Sequence, residues 1–162
     1  MSDRAFSQTF GVVGAILEKD GKILLVKEAE SFDAGKWSHP AGWIDVGENP
    51  IEAAKREVLE ESGYELEPTH LLGVYSLVRK DVESKIGVVP HAIKLIFKGK
   101  LLNDTPHPLE YDVTEARWFT PEEIYAMDGD TLRDEDIIQM VKDYLSGQEL
   151  PLETVNHTVQ LP

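Results

Sequence analysis

Short runs of aliphatic and β-branched residues along the chain predict strands separated by polar turns. Two of these runs, 10–17 and 22–26, lie on either side of Asp20 and Gly21. An Asp-Gly pair between two apolar runs is a strong signal for a tight turn, so the pattern predicts a β-hairpin. A polar stretch at 81–87 interrupts the apolar pattern later in the chain. Further strands are predicted at about 69–79, 90–102 and 113–119.

A helix is predicted at about 50–62, because the sequence carries both a start signal and a stop signal for it. Asn49 is a favoured N-cap residue, and Pro50 suits the first helical position. Glu52 stands three residues after the cap, which predicts a capping box. Gly63 provides the residue that most often ends a helix.

Two later helices are predicted in the acidic last third of the chain. Thr120 and Pro121 repeat the cap-and-proline arrangement, so a short helix should begin there. The last helix is expected at about 134–146, where apolar residues recur at helical spacing. Its apolar face comprises Ile137, Ile138, Val141 and Leu145.

Strands interleaved with helices predict an α/β (α+β) fold. The length of 162 residues suits one domain, with a core at about 8–147 and a C-terminal tail at 148–162. Hydrophobic residues make up 41% of the chain, which is enough to form a packed core. No internal repeat and no domain boundary is evident in the sequence.

The charge composition argues against two classes of binding partner. The formal net charge is -14, and residues 103–162 hold 14 of the 30 acidic side chains. Such a surface repels nucleic-acid backbones and anionic membranes, so neither is an expected partner. The chain has no cysteine, and it lacks both an N-terminal signal core and a run of the roughly 20 apolar residues that span a bilayer. A cytoplasmic protein that binds a small molecule is therefore expected.

The predicted helix at 50–62 places three carboxylates on one face. At about 100° per residue, Glu57, Glu60 and Glu61 share an arc of about 100° that borders the apolar stripe of the helix. Like charges at this spacing repel each other, and more strongly when they are partly buried. Carboxylate oxygens are hard ligands that favour Mg²⁺ or Mn²⁺. From the pattern alone, the three glutamates could equally form a solvated acidic face that holds no metal ion.

The residues around these glutamates resemble the Nudix box, G-x5-E-x7-R-E-U-x-E-E-x-G-U, in which U is a bulky aliphatic residue. Gly42 is followed by Glu48 at the required distance, and the run from Arg56 to Gly63 matches every polar and glycine position. The one departure is Tyr64 at the last aliphatic position. The similarity extends more weakly over about residues 8–145. It implies a Nudix-like α/β/α sandwich with a mixed sheet, and a pyrophosphohydrolase.

The resemblance also implies roles for the box residues. Glu57, Glu60 and Glu61 are the expected ligands of a Mg²⁺ or Mn²⁺ cofactor, together with the Gly42 carbonyl. Arg56 is expected to orient the glutamates by ion pairing. The general base of the family lies either at the last box glutamate, here Glu61, or in a loop before the late strand. Candidates in that loop region are Glu110, Asp112 and Glu115, of which Glu115 is the preferred one.

Four residues outside the helix are candidates for substrate contact. Trp37 is an aromatic residue that could stack on a base or belong to the core. His39 precedes the Pro40 turn, either as a structural histidine with hydrogen-bond partners or as a contact to the substrate. Arg79 and Lys80 belong, with Lys85 and Lys94, to the one segment with excess positive charge, and one or two of these four residues are expected to contact the substrate diphosphate or a terminal phosphate.

The expected reaction is metal-dependent cleavage of a diphosphate in a nucleoside diphosphate joined to another group. The run from Trp37 to Glu48 is similar to Nudix members that act on ADP-ribose or other nucleotide sugars. Nucleoside triphosphates, dinucleoside polyphosphates and thiamin-type diphosphates stay open as substrates, and a catalytically silent nucleotide-binding module stays open as another class. A homodimer, common in the family, is a further expectation.

Overall fold

The computed structural model describes residues 9–109 and 113–162. Four helices lie in these residues: α1 (Pro50–Ser62), α2 (Glu83–Ile86), α3 (Pro121–Tyr125) and α4 (Asp136–Leu145). The same residues form nine strands: β1 (Thr9–Ala15), β2 (Glu18–Lys19), β3 (Lys22–Glu28), β4 (Trp37–Ser38), β5 (Ala41–Trp43), β6 (Leu66–Val78), β7 (His91–Leu101), β8 (Val113–Phe119) and β9 (Leu150–Pro151).

The strands form two sheets. The first has the order β5-β1-β7-β6-β9, with β1 parallel to β7 and the other neighbours antiparallel. In the second sheet, β3 pairs with β2, β4 and β8, all antiparallel. The predicted α/β (α+β) class with a mixed sheet is confirmed. No helix in the described ranges is long and apolar enough to span a membrane.

The predicted hairpin is correct at its turn but wrong in its first strand. Asp20 and Gly21 both have positive φ values, 52° and 76°, as a two-residue hairpin turn requires. The turn joins β3 to the short β2, because the chain changes sheets just before it. The N–H of Ile16 donates to Phe97 of the first sheet, and the carbonyl of Leu17 accepts from Leu24 of the second.

Helix α1 begins and ends at the predicted residues. The Asn49 side chain accepts a hydrogen bond from the Ile51 N–H, and Gly63 closes the helix with a φ of 72°. The predicted capping box is wrong, because the Glu52 carboxylate contacts the Lys55 ammonium at 3.3 Å, one turn along the helix. The short helix predicted from Thr120 and Pro121 is α3, and a capping box between Thr120 and Glu123 begins it.

The first sheet is packed on both faces. Helix α1 covers one face with three buried residues, Ala53, Ala54 and Val58, which lie among side chains such as Val13 and Phe97. The second sheet and α4 cover the other face. Buried residues there include Ile16, Ile23, Leu72, Ile96, Ile137, Met140 and Val141. This layering places the glutamate face of α1 beside the edge of the first sheet rather than far from the core.

Two segments carry structure that the hydrophobic pattern did not indicate. The polar stretch after β6 forms a 3-10 turn at Lys80–Val82 followed by α2. In the predicted tail, β9 pairs with β6.

Before α4, residues 131–133 lie beside Trp37. The backbone N–H of Trp37 donates to the Thr131 carbonyl, and the Trp37 carbonyl accepts from the Arg133 N–H. This contact brings residues 133 and 134 next to the end of β4.

Candidate active site

A cleft of about 640 Å³ opens between α1, the first sheet and the segment that precedes α4. Glu57, Glu60 and Glu61 line the part that we call the carboxylate end, and Lys94 and Asp134 line the part that we call the buried end. Exposed aromatic rings lie along the rim. Trp43 is 65% exposed and stacks on Phe10 with ring centroids 4.8 Å apart, while Phe32 also faces the cleft. The cleft therefore joins a carboxylate-rich end to a buried polar end.

Arg56 holds the loop before α1 against the helix. Its guanidinium donates to both carboxylate oxygens of Glu48, at 2.8 and 2.9 Å, and to the Trp43 carbonyl at 3.1 Å. It also contacts Glu57 at 2.7 Å and Glu60 at 3.3 Å. The fork geometry of arginine suits this two-sided arrangement, and the hydrogen bond from Arg56 lowers the pKa of Glu48.

Glu57 and Glu61 are partly withdrawn from water. The Glu61 carboxylate accepts a hydrogen bond from the Ala41 N–H at 2.9 Å. Burial raises the pKa of Glu61 to about 8, the Ala41 bond opposes the rise, and the negative charges of Glu28 and Glu57 add to it. Burial also raises the pKa of Glu57 against the opposing effect of Arg56. Burial and the neighbouring negative charges therefore disfavour the ionised form of both carboxyl groups.

The donor set at this end fits a hard divalent cation. The three glutamates and the adjacent Gly42 carbonyl supply only oxygen ligands, which Mg²⁺ and Mn²⁺ prefer. Within the described residues, no three carboxylate or imidazole side chains converge on a single point. The Glu57 and Glu60 carboxylates are turned toward Arg56, so holding a cation requires them to reorient.

Gly42 leaves room for the Glu57 carboxylate. A Cβ atom added at Gly42 would overlap both Glu57 oxygens, although the backbone conformation there is ordinary for any residue. A residue larger than glycine at this position would therefore force the Glu57 carboxylate to move.

The substitution Gly42→Ala is expected to lower kcat/KM by about 10²-fold, because it displaces a carboxylate in the cleft by about 1 Å. The measurement is steady-state hydrolysis of a diphosphate substrate, together with thermal unfolding. Gly129→Ala is the matched control, since a Cβ there meets nothing within 4 Å. Equal activities of the two variants would show that the Glu57 position does not matter.

The buried end of the cleft, lined by His39, Arg79, Lys94, Arg133 and Asp134, contains an ion-pair network that sequence reasoning did not assemble. Lys94 is 2% exposed, and its ammonium lies 2.8 Å from Asp134. Arg79 also contacts Asp134, at 3.0 Å. A lysine at an inward-facing position of the apolar strand β7 was the available signal, because a buried charge needs partners.

Further carboxylates complete the pairing of this network. Lys94 lies 3.0 Å from Asp136, and Arg79 lies 3.1 Å from Asp33. Arg79 also contacts Asp81, and Arg133 pairs with Glu28 and Asp33. These contacts leave the guanidinium of Arg79 surrounded by carboxylates, so a substrate phosphate would have to displace one of them.

His39 lies in this end without a hydrogen-bond partner. The side chain is 2% exposed, and neither ring nitrogen has a partner among the described residues. Burial lowers the pKa of His39 to about 3, with Lys94 adding to the decrease, so the ring is neutral. The interpretation of His39 as a structural histidine with hydrogen-bond partners is therefore wrong, whereas contact with a ligand stays a prediction.

Three candidate residues lie outside the cleft lining. Trp37 is buried against Phe119, in an edge-to-face arrangement with centroids 4.8 Å apart. Lys80 is exposed on the turn after β6. Glu115 lies opposite Lys27 across the β3–β8 pair and also pairs with Arg117, which draws it away from the cleft. The alternative base candidates Glu110 and Asp112 lie outside the described residues.

Comparisons with known proteins agree on one family. Residues 7–141 match the model of the NUDIX domain. Phosphatase NudJ of Escherichia coli (strain K12) is 29% identical over 144 residues, which is 88% of each chain. A NUDIX hydrolase from Nitrosomonas europaea is 31% identical with a TM-score of 0.80, and the alignment covers 93% of this chain and 97% of that one.

A more distant structure shares the fold alone. The NUDIX domain of Shewanella oneidensis NrtR, solved in complex with ADP ribose, has a TM-score of 0.64 at 16% identity, over 90% of this chain and 94% of that one. The domain match covers most of the present chain, including α1 and the loop that Arg56 holds. The chain therefore belongs to the Nudix hydrolases and is a pyrophosphohydrolase.

Proposed function

We propose that the protein hydrolyses the diphosphate bond of a nucleoside diphosphate joined to another group, with ADP-ribose or another nucleotide sugar as the preferred substrate. The observation that carries the proposal is the group of three glutamates at one end of a cleft large enough for a nucleotide. The ADP ribose bound to the NrtR domain supports the choice of substrate class by analogy of fold.

Divalent metal is part of this proposal, with Mg²⁺ or Mn²⁺ held by Glu57, Glu60, Glu61 and the Gly42 carbonyl. Bound there, the metal would neutralise phosphate oxygens and acidify a water molecule. Glu57 and Glu60 would turn from Arg56 toward the metal, while Arg56 would keep its two hydrogen bonds to Glu48 and so hold the loop before α1 in place.

We assign the general base to Glu61 rather than Glu115. Glu61 lines the cleft, and the Ala41 N–H holds one of its carboxylate oxygens there, which would position the side chain to take a proton from the attacking water. Glu115 pairs with Lys27 and Arg117 outside the cleft, so it lacks access to that water.

The test is a substrate panel assayed with Mg²⁺, with Mn²⁺ and after treatment with a chelator. Nucleotide sugars, nucleoside triphosphates, dinucleoside polyphosphates and thiamin diphosphate form the panel. We expect the highest kcat/KM for a nucleotide sugar, complete loss on chelation, and recovery when the metal is restored. Turnover of none of these compounds, with tight nucleotide binding, would overturn the proposal and favour a silent binding module.

A further inference from the structure

The buried end of the cleft offers no unpaired cation to a phosphate. Each of its basic side chains has a carboxylate within 3.8 Å among the described residues. Arg79, Lys94 and Arg133 line the cleft with Glu28 and Asp134, and Asp33, Asp81 and Asp136 pair with them from outside the cleft lining. An anionic group placed in this end would therefore have to break existing ion pairs.

Among the described residues of this end, His39 has neither of its two ring nitrogens hydrogen-bonded, whereas Arg133 and Asp136 each leave a single buried atom without a partner. A neutral imidazole has one donor nitrogen and one acceptor nitrogen, and both are buried without a partner among the described residues. A buried polar group without a partner destabilises the protein, because it has lost its hydrogen bonds to water and gained none in return. A ligand that supplies the missing partners would recover that free energy on binding.

The rest of the wall suits a flat ring. Apolar side chains from β1, β6, β7, α2 and the turns that flank α2 line the same cleft as His39, and these are Val12, Leu77, Val82, Ile86, Pro90 and Ala92. A neutral heterocycle can lie against such a wall and still hydrogen-bond at its edge. A charged group gains nothing from the same surface.

We propose that the buried end of the cleft binds the uncharged heterocyclic ring of the substrate, a nucleobase, and that His39 determines specificity by hydrogen-bonding to its edge. This inference rests on the proposed function, because it places the base in one end of the cleft and the diphosphate in the other. It predicts a lower kcat/KM for a substrate that carries an extra phosphate in place of the base.

The first experiment measures binding directly. Nuclear magnetic resonance of protein labelled with ¹⁵N-histidine follows the two ring nitrogens of His39, assigned by comparison with His39→Gln. In the presence of Mg²⁺, we expect at least one of AMP, CMP, GMP and UMP to shift these signals, and ribose 5-phosphate to leave them in place. Equal shifts from ribose 5-phosphate, or no shift from any nucleotide, would overturn the proposal.

The second experiment measures selectivity. For each protein, kcat/KM is determined for the best nucleoside diphosphate derivative and for a diphosphate ester without a heterocycle, and the ratio of the two is compared. We expect His39→Leu to lower this ratio by about tenfold or more, and His39→Gln to restore part of it, because glutamine keeps a donor and an acceptor. Thermal unfolding of both variants reports whether they fold.

The two experiments separate this inference from the proposed function. A wild-type protein that hydrolyses no diphosphate contradicts the proposed function, while the ring-nitrogen signals still decide whether a base binds at His39. A wild-type protein that is active, with an unchanged ratio in His39→Leu, contradicts the inference alone.

Discussion

Glu61→Gln is expected to lower kcat by about 10²- to 10⁴-fold, the range associated with loss of a general base. The amide keeps the shape of the side chain and can still accept the Ala41 hydrogen bond, but it neither takes up a proton nor adds negative charge for a cation. Steady-state rates with Mg²⁺ and with Mn²⁺, measured on the best substrate of the panel, provide the check.

Glu52→Gln is the matched control for this change. Glu52 lies on the same helix, but its carboxylate is exposed and faces Lys55 rather than the cleft. We expect this variant to retain wild-type kcat. If Glu61→Gln were as active as Glu52→Gln, the base and metal roles proposed for Glu61 would both be wrong.

Acidic pH is expected to lower the free energy of unfolding through His39. His39 has a pKa of about 3 in the folded protein and 6.5 as its ordinary value, so the unfolded chain binds a proton that the folded protein excludes. The contribution of His39 to stability is therefore complete above pH 6.5 and is lost as the pH falls toward 3. The loss amounts to at most about 5 kcal/mol, at about 1.4 kcal/mol per pH unit.

The titration of Glu61 has the opposite effect on stability over part of this pH range. Its folded pKa of about 8 lies above its ordinary value of 4.5, so its contribution is present below pH 4.5 and is lost as the pH rises through 8. The groups that act on His39, namely Lys94, Asp134 and Arg133, remain in both proteins of a comparison. The difference between wild type and His39→Gln therefore isolates the histidine.

Urea unfolding at a series of pH values gives the measurement. We expect the free energy of unfolding of wild type, relative to His39→Gln, to fall steadily between neutral pH and pH 3. The exposed His157 serves as the control, and His157→Gln should follow the wild-type curve. Parallel curves for wild type and His39→Gln would show that His39 is not held neutral in the fold.

The carboxylate end of the cleft could be predicted from sequence because its signals are local. Asn49 and Gly63 mark the ends of α1, and the helical period then places Glu57 and Glu61 on one face. Even there, the alternative contact of Glu52 with Lys55 was missed, because either interaction satisfies the side chain. Local patterns specify where an element begins more firmly than they specify each side-chain partner.

The buried end could not be predicted in the same way, because its members are distant in sequence. Lys94 and Asp134 are 40 residues apart and meet only after β7 and the segment before α4 have been packed together. The assignment of β1 to the wrong sheet has a similar cause. A hairpin turn shows that two strands are adjacent at the turn, but not that the chain stays in one sheet before it.

Two parts of the chain form the cleft, and the backbone contact between Trp37 and residues 131–133 holds one of them in place. The glutamates that we propose as catalytic lie on α1, whereas Arg133 and Asp134 belong to a short segment attached to β4 by two hydrogen bonds. Under the proposed function, sequence changes in that segment would alter the choice of substrate and leave the reaction chemistry intact. The same scaffold can therefore diversify in evolution by exchanging one connection between secondary-structure elements.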